Sequence, residues 1–208
     1  AISKILNRIS AGGFFLNPLY SAWAIVTSAR RSLIYGYTPE GVMLYTNLTL
    51  VLVPFKNDYK LSYAIADKAR RLAEKAGYKN ELFRVYHVFS LFNGHWFQDV
   101  KKNISYSRES WRGNDSVGDF EFACYSYFTT QQAVLETCQT VRELAAETES
   151  ALAYAVKTGN LHAVESYTSY AQLYKALKGT TKAYGSFEDD SFSEENHLES
   201  IRMDQMAQ

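Results

Sequence analysis

With 22 Lys and Arg balancing 22 Asp and Glu over 208 residues, the chain carries no net charge. That balance excludes the concentrated positive surface of a nucleic-acid binder or a polybasic membrane anchor. Only three prolines interrupt it, at Pro18, Pro39 and Pro54, while aromatic residues make up 15% and 16 of them are Tyr. Such a composition favours long helices over a turn-rich β-sandwich, in one domain or one extended array burying roughly 70% of its unfolded surface.

Residues 1–16 read as an N-terminal lead-in. They lack the basic stretch followed by an apolar run that marks a signal peptide. The first residue is Ala rather than Met, so the chain reads as an excised or processed piece. From residue 17 onward helical periodicity dominates. Leu19, Ala22, Trp23, Val26, Ala29 and Leu33 recur on one helical face, and Gly36 ends the pattern. Gly41 to Phe55 is apolar around much of its circumference. Its core, Leu48 to Phe55, is rich in β-branched residues and allows a buried strand. A helix ended by Pro54 is preferred, because a lone strand would leave its backbone groups without partners. The same run is too short to span a bilayer.

A second amphipathic helix follows, with Leu61, Ala64, Ile65, Ala69, Leu72 and Ala76 on one face and Lys60, Asp67, Arg70, Arg71, Glu74 and Lys75 on the other. Asp58 suits its N-cap and Gly77 its end. Glu81 to Trp96 is again apolar on most sides. Phe97, Val100, Ile104, Ser107 and Trp111 form a third stripe, ended by Gly113. Val117 to Leu135 is aromatic-rich. Val141, Leu144, Ala145, Thr148, Leu152 and Ala155 form a fourth stripe, ended by Gly159, and Leu161 to Leu177 completes the alternation.

Two-faced helices therefore alternate with helices apolar all round, as in stacked helical hairpins with one helix outside and one sandwiched. The terminating glycines Gly36, Gly77, Gly113 and Gly159 lie 41, 36 and 46 residues apart, irregular periods suited to divergent two-helix repeats. The expected fold is all-α: a right-handed α-solenoid of stacked antiparallel helix pairs, tetratricopeptide-like, over residues 17–180. Residues 181–208 follow as an acidic loop and a short helix leading to the next repeat. Residues 188–199 hold six acids and no Lys or Arg, and Ser191 with Glu194 is in capping-box register for a helix from Glu194 to Met206. This segment reads as a solvated inter-helix loop in preference to an acidic docking tail.

Chemistry-bearing motifs are scarce. Lys178-Gly179-Thr180-Thr181-Lys182 lacks the glycine pattern of a phosphate loop, and neither a G-x-S-x-G elbow nor an H-E-x-x-H pair occurs. His87 and His95, eight residues apart, would lie roughly 12 Å apart along a helix, too far to chelate one ion. His162 and His197 are more distant still, and structural histidines are the reading. Cys124 and Cys138 have no metal-type spacing and read as reduced core residues rather than a disulfide or zinc pair. Three N-x-S/T sequons, at Asn47, Asn103 and Asn114, are attributed to chance. The expectation is thus no catalytic residue, no metal and no cofactor. A Tyr follows each terminating Gly, at Tyr45, Tyr86, Tyr125 and Tyr167. These four would either line an inner groove as rigid contacts for a partner or ligand, or fill inter-helix grooves, the second being preferred.

Phe92-Asn-Gly-His-Trp96, Gly118-Asp-Phe-Glu-Phe-Ala-Cys-Tyr125 and Ser186-Phe-Glu-Asp-Asp-Ser-Phe-Ser-Glu-Glu195, taken in this order, resemble the helical region of large multidomain sensor kinases. Those proteins combine a serine/threonine-kinase-like domain, a STAND-type predicted ATPase, tetratricopeptide-like helices, a GAF domain and often a histidine kinase. The resemblance spans nearly the whole chain from about Asn17. It implies a cytoplasmic regulatory scaffold for signal transduction, whose helices restrain the ATPase, sense a partner or self-associate. The chain lacks every catalytic domain of that pattern, so kinase and ATPase activities do not transfer to it. The expected partners are proteins, either other domains of a parent chain or a signalling partner, with self-association and with no nucleic acid or membrane. Two rivals stand beside this reading: a small-molecule (inducer) sensor and an enzyme of unrecognised type.

Overall fold

The computed structural model describes residues 2–207, so the first and last residues of the expected lead-in and tail lie outside the described residues. The regular elements are helical: α1 (Ile2–Leu16), α2 (Pro18–Tyr35), α3 (Pro39–Thr46), α4 (Thr49–Lys56), α5 (Tyr59–Ala76) and α6 (Lys79–Phe89). A π-helical turn (Ser90–Gly94) and the short α7 (His95–Phe97) lead on to α8 (Val100–Ser116), α9 (Phe120–Thr137), α10 (Val141–Thr158), α11 (Leu161–Lys178) and α12 (Glu194–Ala207). The expected lead-in is thus itself helical. Residues 49–55 are helical rather than extended, with Pro54 inside the last turn of α4 and the helix ended by Asn57 in the left-handed region.

Caps recur with a constant period. The side chains of Asn17, Asp58, Asp99 and Thr140 each accept a backbone N–H in the first turn of α2, α5, α8 and α10, and each stands 41 residues after the last. The glycines after these helices, Gly36, Gly77, Gly118 and Gly159, keep the same spacing and all have positive φ, between 70° and 90°. Gly113, expected to end the third of these helices, lies inside α8 instead. It is glycine for a different reason: a Cβ there would sit 2.1 Å from Cδ1 of Phe83. The helix end is Gly118, five residues further on, and with it the intervals between terminating glycines become a regular 41 residues.

Burial follows the period as well. The long helices bury Ser21, Ser62, Asn103 and Leu144 at one position, and Ile25, Ala66, Ser107 and Thr148 at the next on the same face. Ser28, Ala69, Ser110 and Ala151 come third, then Ser32, Ala73, Asn114 and Ala155. These faces are small and hydroxyl-rich, which lets neighbouring helices approach closely. Their polar atoms bond across the contacts: Ser21 Oγ donates to the Ser10 carbonyl (2.9 Å), Ser62 Oγ to Asn93 (2.8 Å) and Ser110 Oγ to the Phe83 carbonyl (2.6 Å). The expected face of α2 is accordingly corrected: Leu19, Trp23, Val26 and Leu33 are exposed, and the serine face is buried. On α5 the buried set is Ser62, Ala66, Ala69, Arg70 and Ala73, rotated from the expected stripe. Only α10 buries the face its hydropathy marks, through Leu144, Thr148, Ala151 and Ala155.

The chain forms two compact units, residues 1–129 and 130–208, with α9 beginning in the first and ending in the second. Neither expected boundary, at residue 17 or residue 181, coincides with this division. In the first unit, Val42 and Met43 of α3, Ala69 and Ala73 of α5, and Val85 and Val88 of α6 form a core flanked by Tyr45, Leu72, Tyr78, Leu82, Phe92 and Phe122. In the second, α10 and α11 pack together, with Leu144, Ala151, Ala163 and Tyr167 buried. Its acidic loop is internally occupied: Asp189 pairs with Lys175 (2.7 Å), and the Glu188 carboxylate accepts the Glu194 N–H at the start of α12 (2.7 Å). The α12 cap is Ser193, which accepts from the Asn196 N–H (3.3 Å), while Ser191 bonds to Asp189 instead of serving the expected capping box.

Candidate functional site

The first unit contains an apolar cleft of about 370 Å³, set beside the π-helical turn. The turn is positioned from within. Asn93 is buried and accepts from Ser62 Oγ (2.8 Å), and a Cβ at Gly94 would lie 2.2 Å from Oδ1 of Asn103. With the Asn93 side chain buried on the inner side, the widened turn gives Leu91 and Phe92 to the cleft wall, followed by His95 and Trp96. Leu50, Val53, Pro54 and Phe55 of α4 line it too, and Pro18 and Ser21 of α2 contribute. Pro54 suits that wall, because its ring adds apolar surface and a last-turn position limits the helix hydrogen bonding it disrupts.

The polar groups at this cleft are few. His95 is exposed at the cleft wall, yet desolvation by its neighbours lowers its pKa below the ordinary 6.5, only partly countered by a backbone hydrogen bond with Ser90. At neutral pH it is an uncharged imidazole able to donate or accept one hydrogen bond. The Trp96 ring packs edge-on to Tyr59 (4.7 Å between centroids) and 4.5 Å from His95. An apolar hollow of this size with one neutral imidazole suits binding of a small apolar or aromatic group.

The other titratable groups of this unit serve packing. Arg70 is held by Asp67 (2.6 Å) and Glu74 (2.7 Å) and lies over the rings of Phe89 and Tyr106 (5.4 and 5.3 Å). Burial pushes the His87 imidazole down to about 4. Among the described residues, no group of three or more His, Cys, Asp or Glu is placed to hold a metal ion. Cys124 is buried and Cys138 half-buried, both as thiols. The three sequon asparagines, Asn47, Asn103 and Asn114, are all buried, which denies a glycan access.

The four tyrosines fall in different settings. Tyr45 is half-buried, its hydroxyl donating to the Ala29 carbonyl (3.3 Å) and its ring 5.7 Å from Tyr37. Tyr86 is buried and donates to Glu74 (3.0 Å); burial first, and then that bond, raise its pKa. Tyr125 is half-buried, donating to Glu121 (3.3 Å) and stacked on Phe128 (5.7 Å). Tyr167, in the second unit, is 0% exposed and offers no contact surface. The residue 41 positions after Tyr86, which itself stands 41 after Tyr45, is Tyr127 rather than Tyr125. It is buried with its ring 5.7 Å from Trp111. Constant spacing among the tyrosines was the available signal for it. Several of the cleft residues belong to segments noted in the sequence, but the cleft they form is not legible there, because a π-turn has no hydropathy signature.

No helix among the described residues is long and apolar enough to cross a membrane. No family model, no curated protein and no solved structure matches the chain.

Proposed function

We propose that this chain is a non-catalytic helical-repeat scaffold that mediates protein interaction, as a regulatory module within signal transduction. The observation that carries the reading is the 41-residue recurrence of cap, small buried face and left-handed glycine. Repeating units of this kind keep the inward face for each other and free the outward face to vary with the partner. The right-handed tetratricopeptide-like stacking and a cytoplasmic setting belong to the same proposal. So does the resemblance to the helical region of sensor kinases with a STAND-type ATPase. Calorimetric titration of the purified chain with separately produced kinase-like, ATPase and GAF domains of that kind tests it. Saturable binding to one of them supports regulation in the parent protein; absence of binding to all of them contradicts it.

A second reading, small-molecule sensing, is favoured by one observation, the cleft between α4 and the π-turn. It predicts thermal stabilisation by small aromatic compounds that Val53→Glu abolishes. Stabilisation that persists in that variant would place binding elsewhere.

A further inference from the structure

The exposed face of α2 departs from the pattern of the other long helices. Leu19, Tyr20, Trp23, Val26, Leu33 and Ile34 are 67%, 66%, 58%, 47%, 74% and 61% exposed. At the positions of Leu19, Val26 and Ile34, the later long helices carry other residues. These are Lys60, Lys101 and Arg142, then Asp67, Arg108 and Glu149, then Lys75, Ser116 and Lys157. Eight of these nine positions carry a charge, and α2 alone is apolar at all three sites.

The departure is not explained by a missing neighbour along the chain. In the first unit α5 packs against α3, α4 and α6, and α2 packs against α1 and α3. The seat before α2 is therefore filled by α1. The stripe lies on a different face, since Ser21, Ile25, Ser28 and Ser32 are the buried ones.

We infer that this stripe is a homodimer interface, in which α2 pairs antiparallel with α2 of a second copy. The inference rests on the interaction reading above and names its partner. At roughly 100–150 Å² for each exposed side chain, the six present about 800 Å² per chain, the amount a standard stable interface buries on each side. A typical monomer's largest apolar patch is smaller. The stripe is also self-complementary. A two-fold axis between Val26 and Thr27 sets Leu33 opposite Tyr20 and Ile34 opposite Leu19. It also sets Arg30 opposite Trp23, where a guanidinium stacks on an indole. The charges of α2 are Arg30 and Arg31 alone, and Arg31 already lies over Tyr35 (5.1 Å), so antiparallel pairing keeps like charges apart.

Sedimentation velocity of the whole chain tests this, with twice 23.7 kDa as the expected mass. Trp23→Glu should weaken association at least 100-fold while leaving the helical circular dichroism unchanged, because Trp23 is exposed in the single chain. With Cys124 and Cys138 replaced by Ala, Val26→Cys should form a disulfide-linked dimer on mild oxidation. Leu33→Cys should link to Tyr20→Cys in a mixture but not to itself. A chain that stays monomeric to high micromolar concentration overturns the inference, as does a dimer that Trp23→Glu leaves intact. Flotation of the monomer with vesicles of anionic lipid, blocked by the same variant, would make a membrane the occupant and overturn it too. The interaction reading is judged separately by the domain titrations, so either can fail alone.

Discussion

Gly113→Ala is the perturbation whose sign separates two accounts of α8. In an unobstructed helix interior, replacing Gly by Ala stabilises by about 1 kcal/mol through lost unfolded-state freedom. Here the new Cβ would meet Cδ1, Cγ and Cε1 of Phe83 at 2.1, 2.2 and 2.4 Å. Cγ is the root of the ring, so rotation about the ring axis does not clear the clash. The Phe83 backbone is itself tied down, because its carbonyl accepts from Ser110 Oγ (2.6 Å). Overpacking of this kind costs about 1–3 kcal/mol, and an overlap this deep falls at the upper end, so after the gain of about 1 kcal/mol the net expectation is a loss of about 1–2 kcal/mol. Urea denaturation followed by circular dichroism measures it. The companion variant Phe83→Ala removes Cγ and the ring together, and in the double variant the penalty of Gly113→Ala should shrink by at least ~1 kcal/mol, a coupling expected only of residues in contact. A Gly113→Ala protein more stable than the parent, or a cycle without coupling, would refute the close-approach explanation and restore Gly113 as a helix end.

Gly118→Ala should cost about 1–2 kcal/mol for a different reason, the positive φ of 77°, since nothing lies within 4 Å of the added Cβ; an unchanged denaturation midpoint would contradict the left-handed cap. Leu144→Asp, at a position 1% exposed, should destabilise by about 3–5 kcal/mol by burying an unpaired charge, and a normal melt would remove Leu144 from the core. His87, held near 4 by burial, is neutral when folded, while the unfolded imidazole titrates near 6.5. Its contribution is intact above pH 6.5 and falls away by roughly 3 kcal/mol as the pH drops toward 4. His87→Phe should therefore flatten the pH dependence of stability across that window, and an unaltered slope would mean that His87 is accessible to protons in the folded chain.

The sequence made helix positions legible and helix faces largely illegible. Asp58 and Gly77 bracket α5 as expected because capping is local chemistry, carried by one side chain and one backbone angle. The face of α2 was misassigned, and that of α8 rotated although Ser107 was placed on it, because hydropathy scores Ser21, Ser28, Ser32 and Ser110 as surface. In the fold these residues are buried, the close helix contact leaving room for little else and neighbouring groups taking several of their hydroxyl bonds. Conversely Leu19, Trp23 and Leu33 look like core and are exposed. Gly113 and Gly118 are five residues apart and both are required, one by a ring and one by a backbone angle, so composition alone cannot rank them as helix ends. The cleft lies beside a π-turn that is tied down by a tertiary hydrogen bond from Ser62 to Asn93, 31 residues away. No local pattern encodes that.

Thiol labelling tests the repeat most directly. Single cysteines are placed, in a chain with Cys124 and Cys138 replaced by Ala, at the buried positions of Ala66, Ser107 and Thr148 and at the exposed positions of Ala64, Ser105 and Ala146. Each set is spaced by 41 residues, and the two sets differ by two positions. Mass spectrometry after brief exposure to a water-soluble maleimide should find the first three protected and the second three modified at near the rate of a free thiol. Protection of the second set with modification of the first would contradict the 41-residue architecture, and the interaction surface drawn from it.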